Sequence, residues 1–305
     1  MARIRPLQID VSRAADLGED CKIDGMLFIP QRIEQPQILC VMFPGGTYTK
    51  DYHHLVVPGR TGYSAAEHLV DSGLIVATID HLGTGQSSFP SEGKRVTLEV
   101  MARSNAQATR WLRNAAREGS LHPDLPALPD IRMAGFGHSL GGYLLHIAQA
   151  EFGAFDALAI AGSTCQAMST APETGMPLRE IRPAPAAGYF LMPRAQNHSS
   201  FYFPDVPRDV IAADDLSFSP LPEGMMDIGI PGRTAGYAAR ITCPVFLAFG
   251  EIDLSPDPFA EPAFYRKSRD ITLLRLPRSG HCHNSASTRH VLWRRFRQWL
   301  DSGVS

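Results

Sequence analysis

The chain has 305 residues, 44% of them hydrophobic, with 29 Lys and Arg against 31 Asp and Glu for a net charge of −2. This composition excludes a disordered chain, and the lack of a polybasic block excludes the electrostatic footprint of nucleic-acid binding. At a prior of about 150 residues per domain, the length suits one large α/β domain carrying an insertion. Met1 to Leu17 bears charges throughout and shows no apolar core, so no secretory signal is read there. No run of about 18 apolar residues exists, so no membrane span is expected. The cysteines Cys21, Cys40, Cys165, Cys243 and Cys282 form no C-x-x-C pair. That spacing argues against a disulfide framework or structural zinc, and for a reducing cytoplasmic compartment. The sequence leaves a homo-oligomer open.

Taken in chain order, Met26 to Ile29 and Ile38 to Phe43 read as short strands, the second ending at Pro44-Gly45-Gly46. Tyr63 to Val70 reads as a helix, and Leu74 to Ile79 as a strand ending in the turn cluster Asp80 to Gly85. Thr97 to Glu118 has helical periodicity, with Val100, Ala108, Trp111, Leu112 and Ala115 on one stripe. Ile131 to Phe136 is a strand that runs into Gly137-His138-Ser139-Leu140-Gly141-Gly142, with a helix over Tyr143 to Ala150. Ala157 to Ala161, Val245 to Phe249 and Ile271 to Leu276 are further strands. An amphipathic helix near the C-terminus presents the arginines between Arg289 and Arg297 to solvent. Between Ser163 and Arg240 the strand–helix alternation lapses. This stretch is rich in proline and holds Met168, Met176, Met192, Met225 and Met226. A loop that long is rarely structureless, so a lid-like subdomain is expected.

Gly137-His138-Ser139-Leu140-Gly141 fits G-x-S-x-G, a pattern expected by chance about 0.15 times in a chain of this composition. Its setting between a strand and a helix is what a nucleophile elbow needs: a tight turn with small flanking residues lifts the serine hydroxyl above the sheet. The plainer alternative is a helix-capping serine in a glycine-rich turn. A serine hydroxyl needs a base to attack a carbonyl. His281 and His283 both follow the last strand, and His281, beside Gly280, is the better placed. The base in turn needs a carboxylate to fix its tautomer. Asp253, in the loop after Val245 to Phe249, is preferred to Glu251 and Asp257. The amides of Leu140, at the helix start, and Gly46, in the loop after Ile38 to Phe43, are the expected oxyanion donors. Thr47, Tyr48 and His138 beside these loops, and Met192 and Met226 in the insertion, are candidate substrate contacts.

The chain order Ser139, Asp253, His281 and the elbow resemble the α/β-hydrolase superfamily, and the likeness spans nearly the whole chain outside the insertion. The segment Asp80-His81-Leu82-Gly83-Thr84-Gly85-Gln86-Ser87 is similar to a turn found after the fourth strand in that superfamily. The resemblance implies an α/β fold with a mostly parallel central sheet and helices on both faces. Residues 1–162 and 241–305 form its core, and 163–240 a cap inserted after the sixth strand. It also implies an esterase- or lipase-like serine hydrolase acting through an acyl-enzyme, with no metal or organic cofactor. One departure is Pro44 where many relatives carry histidine. An acyltransferase, a carbon–carbon bond hydrolase and a silent binding protein are the rival readings. The methionines and the aromatics Tyr189, Phe190, Phe201, Tyr202 and Phe203 of the insertion suggest an apolar small-molecule substrate, a carboxylic ester or lactone.

Overall fold

The computed structural model describes residues 3–33, 37–168, 182–183 and 187–303. The charged N-terminal stretch turns out to be a strand, β1 (Arg3–Asp10), a β-element that its charges hide in the sequence. Leu7 and Ile9 point inward while their neighbours face water, and β1 pairs antiparallel with β2 (Lys22–Ile29). The remaining sheet strands are β3 (Ile38–Phe43), β4 (Ile75–Ile79), β5 (Arg132–His138), β6 (Ala157–Ala161), β10 (Val245–Gly250) and β11 (Ile271–Leu276). Inside the insertion lie the short strands β7 (Arg182–Pro183), β8 (Tyr189–Leu191) and β9 (Leu221–Pro222). The helices are α1 (Ser12–Ala15), α2 (Ala65–Asp71), α3 (Leu98–Glu118), α4 (Leu140–Phe152), α5 (His198–Phe201), α6 (Arg208–Asp215), α7 (Ala235–Ala238) and α8 (Arg289–Gly303).

Eight strands form one sheet in the order β1-β2-β4-β3-β5-β6-β10-β11, parallel from β4 onward. The period-two alternation of β3 divides the core. Leu39, Val41 and Phe43 join α3 and α4 on one face, and Ile38, Cys40 and Met42 join α2 and α8 on the other. Covering both faces is what lets the parallel strands read as continuous apolar runs. Within α3, Val100, Ala108, Leu112 and Ala115 are buried, but Trp111 is 39% exposed because it sits at the rim of the apolar stripe. In α8 the arginines divide: Arg294 and Arg295 are exposed, whereas the Arg289 guanidinium stacks 3.7 Å over the Tyr63 ring.

The insertion follows β6. Its strands β7, β8 and β9 make a separate antiparallel sheet, and α5 and α6 pack on the loop after β3 through Phe201, Tyr202 and Val210 against Tyr48 and Tyr52. Met176 lies outside the described residues. Among those residues, no helix is long and apolar enough to cross a membrane.

Candidate active site

Three loops at the carboxyl ends of β5, β10 and β11 converge. At the end of β5, Ser139 adopts φ 49° and ψ −116°. A non-glycine residue held there stores roughly 1–3 kcal/mol of strain, so the surroundings must over-determine it. They do. Its amide bonds to Ala161 O at 2.8 Å, and its carbonyl accepts from the Ser163 hydroxyl at 2.7 Å and the Gly142 amide at 2.9 Å. A Cβ on Gly137 would lie 2.5 Å from the Gly141 carbonyl carbon, and one on Gly141 would lie 2.3 Å from Phe43 O. Only glycine allows that approach of strand to helix.

His281 Nδ1 donates to Oδ1 of Asp253 at 2.7 Å, which leaves Nε2 as the nitrogen available to a hydroxyl. The backbone of His281 is held from both sides: its amide donates to Ser200 O at 2.9 Å, and His138 Nε2 donates to its carbonyl at 2.8 Å. Burial works to raise the carboxyl of Asp253. The charge of His281 and the bonds from His281 and His283 outweigh it and hold the group well below the usual carboxylate range. Glu251, the other carboxylate of that loop, is exposed and accepts from the Arg278 amide at 2.8 Å. It faces away from the imidazole.

Ser139, His281, Gly46 and Leu140 line one cavity of about 60 Å³. Among the hydrogen bonds of the described residues, none engages the amide of Gly46 or of Leu140. A Cβ built on Gly46 would sit 3.9 Å from that of Leu140, so the two amides belong to one neighbourhood. Pro44 contributes through its carbonyl, which accepts from His81 Nε2 at 2.9 Å and from the Gly141 amide at 3.0 Å. His81 in turn accepts from the Asn105 side chain at 2.9 Å, which fixes its tautomer. Burial keeps that imidazole neutral, down at about 4.

The candidate substrate contacts divide. Tyr48, His138 and Met192 line the cavity. The Tyr48 hydroxyl is already committed to Asp214 at 2.7 Å, so only its ring is offered. Burial, then the neighbouring His281 and His283, push the His138 imidazole well below its ordinary value and keep it neutral. Thr47 does not line the cavity. It is buried at φ 68°, with its carbonyl accepting from the Ser219 amide at 2.9 Å, and serves to shape the loop. Met226 does not line the cavity: it is 48% exposed, while its neighbour Met225 lines it. Their 3₁₀ helix, residues 223–229, carries adjacent side chains to different sides. Of the insertion's aromatics, Phe201 lines the cavity, whereas the Tyr189 hydroxyl donates to Pro90 O at 3.0 Å away from it.

Sequence reasoning did not find Leu221, Ile228 and Leu254, which complete the apolar wall. Nor did it find the buried Lys50, whose ammonium bridges Asp24 at 2.9 Å and Asp80 at 3.0 Å. That pair ties the turn after β4 to the loop carrying Gly46 and Thr47. A larger groove of about 600 Å³, lined by Arg13, Arg103, Arg110, Arg113 and Phe152, holds no nucleophile and base together.

No family model matches the chain, and no sequence relative was found among curated proteins. Solved structures are similar to it. One is AidH, an N-acyl homoserine lactonase, as a mutant complexed with N-hexanoyl homoserine: 15% identity over 98% of this chain and 97% of that one, TM-score 0.62. A lipase in its open form is similar at 17% identity over 99% and 100%, TM-score 0.64. Est1E from Butyrivibrio proteoclasticus with ferulic acid bound is similar at 17% identity over 98% and 99%, TM-score 0.56. At such identities the likeness is one of fold: the chain has the α/β-hydrolase fold.

Proposed function

We propose that the protein is a serine hydrolase that cleaves an ester-type bond, a carboxylic ester or lactone, of an uncharged apolar substrate. The observation that carries this reading is the meeting in one cavity of a strained Ser139, a His281 whose Nδ1 is taken by Asp253, and two free amides. Ser139 Oγ attacks the carbonyl carbon while His281 Nε2 accepts its proton. The amides of Gly46 and Leu140 stabilise the oxyanion, and each such donor contributes roughly 3 kcal/mol in comparable sites. Asp253 stabilises the imidazolium. Collapse of the tetrahedral intermediate expels the alcohol, protonated by His281, and leaves an acyl-serine. Water, deprotonated by the same histidine, then releases the acid.

The substrate class follows from the wall. None of the described lining residues is Asp, Glu, Lys or Arg, and Met168, Met192 and Met225 stand with Leu221, Ile228 and Leu254. Burying a charge there without a partner is prohibitive. Residues 163–240 act as the cap over this cavity, and a lactonase, a lipase and a ferulic-acid complex of the same fold are in keeping with an ester-type substrate. The test is a panel of uncharged p-nitrophenyl esters and lactones, with a fluorophosphonate probe as reporter of Ser139. Turnover and labelling are expected; a folded protein that shows neither refutes the reading.

A further inference from the structure

Asp253 receives a second imidazole that a triad does not require. Its Oδ1 accepts from His281 Nδ1 and from the Leu254 amide, both at 2.7 Å. Its Oδ2 accepts from the Gly250 amide at 2.7 Å and from His283 Nε2 at 2.9 Å. The carboxylate, 1% exposed, thus has two donors on each oxygen. We infer that His283 is a positioning residue for the triad, a fixed donor that holds the Asp253 carboxylate in the plane and orientation His281 needs.

The state of the His283 ring follows from its surroundings. Nε2 must carry a proton to donate, and Nδ1 is buried without a hydrogen-bond partner. His283 does not line the cavity that His281 and Ser139 share. Its backbone is pinned by its amide, which donates to His281 O at 3.1 Å, and the edge of its ring meets His138 at 5.5 Å between centroids. Asp253 meets its Nε2, and the rings of His138 and His281 lie 5.5 and 6.4 Å from its own, centroid to centroid.

Without His283, Oδ2 keeps only a loop amide, and the carboxylate is free to turn about its own bond. A donor to Oδ2 also draws charge from the carboxylate, so its loss strengthens the field on the His281 imidazolium. Two consequences follow together: kcat falls because orientation is lost, and the acid limb of kcat/KM moves to higher pH. A role in packing alone predicts the first without the second.

The inference rests on reading Ser139, His281 and Asp253 as a triad, so the test has two independent arms. In the first, H283F and H283Q are compared with wild type on p-nitrophenyl acetate across pH. H283F is expected to lose about 10- to 100-fold in kcat, the usual effect of removing an outer hydrogen bond to a site ligand, with its acid limb moved up. H283Q, whose amide restores a donor, is expected to recover most of both. A folded H283F with wild-type kcat and acid limb overturns the inference, as does a loss that leaves the limb in place and is not recovered in H283Q. Should H283F not fold, H283N, whose shorter amide stops short of Oδ2, is read the same way. The second arm needs no turnover: the downfield proton signal of the His281–Asp253 bond, recorded by NMR in the S139A background, is expected to shift when His283 is replaced. An unshifted signal overturns the inference, while absent ester turnover and labelling in wild type overturns the triad reading instead.

Discussion

The sheet's carboxyl edge and the 163–240 insertion meet over Ser139, yet they are held by different kinds of interaction. The edge is fixed by close backbone approach and covalent geometry: glycines at 137 and 141, a strained serine, and loops that leave parallel strands at set points. The insertion is held by side-chain packing on Tyr48 and Tyr52 and by polar contacts. The hydroxyls of Tyr48 and Tyr202 both donate to Oδ2 of Asp214 at 2.7 Å, and Arg194 lies 4.0 Å over the Tyr48 ring while donating to Asp214 O. Its α5 hands the carbonyls of Ser200 and Phe201 to the amides of His281 and Cys282. On the proposed reading chemistry belongs to the edge, while the insertion supplies walls; its α5 also braces the histidine loop. Perturbing the edge should abolish turnover; perturbing the insertion should change which substrate is preferred.

The largest expected effect tests the first half of that comparison. Ser139→Ala is expected to lower kcat by about 10⁶, as in other serine triads, and to remove fluorophosphonate labelling while leaving the fold intact. Labelling that persists would place the nucleophile elsewhere. Next, Asp253→Asn is expected to cost roughly 10⁴ in kcat by disturbing the tautomer of His281. Glu251→Gln, at an exposed position, should stay within a few-fold of wild type. A reversed ranking in the same assay would show that the geometry at β10 has been misjudged.

How far each region can be read from sequence follows the same division. The bounds of β3 and β6 are visible because uninterrupted apolar runs end in turn residues. Ser139, His281 and Asp253 can be picked out as candidates because each follows a strand, in the loops where a parallel sheet gathers a site. Strand β1 is hidden because only Leu7 and Ile9 of it are fully buried, among charged and exposed neighbours. Helix α4 begins at Leu140 rather than Tyr143, since Gly141 and Gly142 have poor helix propensity and their place is set by close approach to β3 and Ser163. The bond from His283 to Asp253, the Lys50 bridge and the His81–Pro44 bond join residues about 30 or more positions apart. No local pattern announces such pairs. Inside the insertion, Met225 and Met226 differ in exposure although they are adjacent, because a short 3₁₀ helix has no run of apolar residues to betray its inner side.

A third difference lies in the histidines. In the core, burial keeps His53 and His81 at about 4, and His146 at about 3, against an ordinary value of 6.5. The described insertion instead holds His198, partly exposed beside Asp215 at 3.0 Å. For the core groups the unfolded chain takes up protons below 6.5 while the folded chain refuses them until about 4. Their contribution to stability is thus complete above 6.5 and is lost as pH falls toward 4, by roughly 1 kcal/mol per pH unit for each group. Urea unfolding at pH 7 and pH 5 is expected to show a marked drop in midpoint, flatter in His146→Gln. A midpoint that does not change between the two pH values would contradict the burial of these imidazoles.

The smallest effect sharpens the insertion's half of the comparison. Met225 lines the cavity and is 4% exposed, whereas Met226 is 48% exposed. The flexible thioether of Met225 fits an irregular acyl chain, and a serine in its place leaves that chain facing a polar gap. Removing one apolar group from a pocket wall changes discrimination between substrates by about 1–3 kcal/mol and does not touch the triad. Met225→Ser should therefore change the ratio of kcat/KM for p-nitrophenyl butyrate over acetate by about tenfold, while the rate of fluorophosphonate labelling at Ser139 stays near wild type. Met226→Ser, with its side chain in water, should leave that ratio unchanged. The pair controls for itself, since both residues lie on one short helix and a general loosening of it would affect both variants. If Met226→Ser alters the ratio as much as Met225→Ser does, the change comes from loosening of that helix and Met225 is not a specific wall contact.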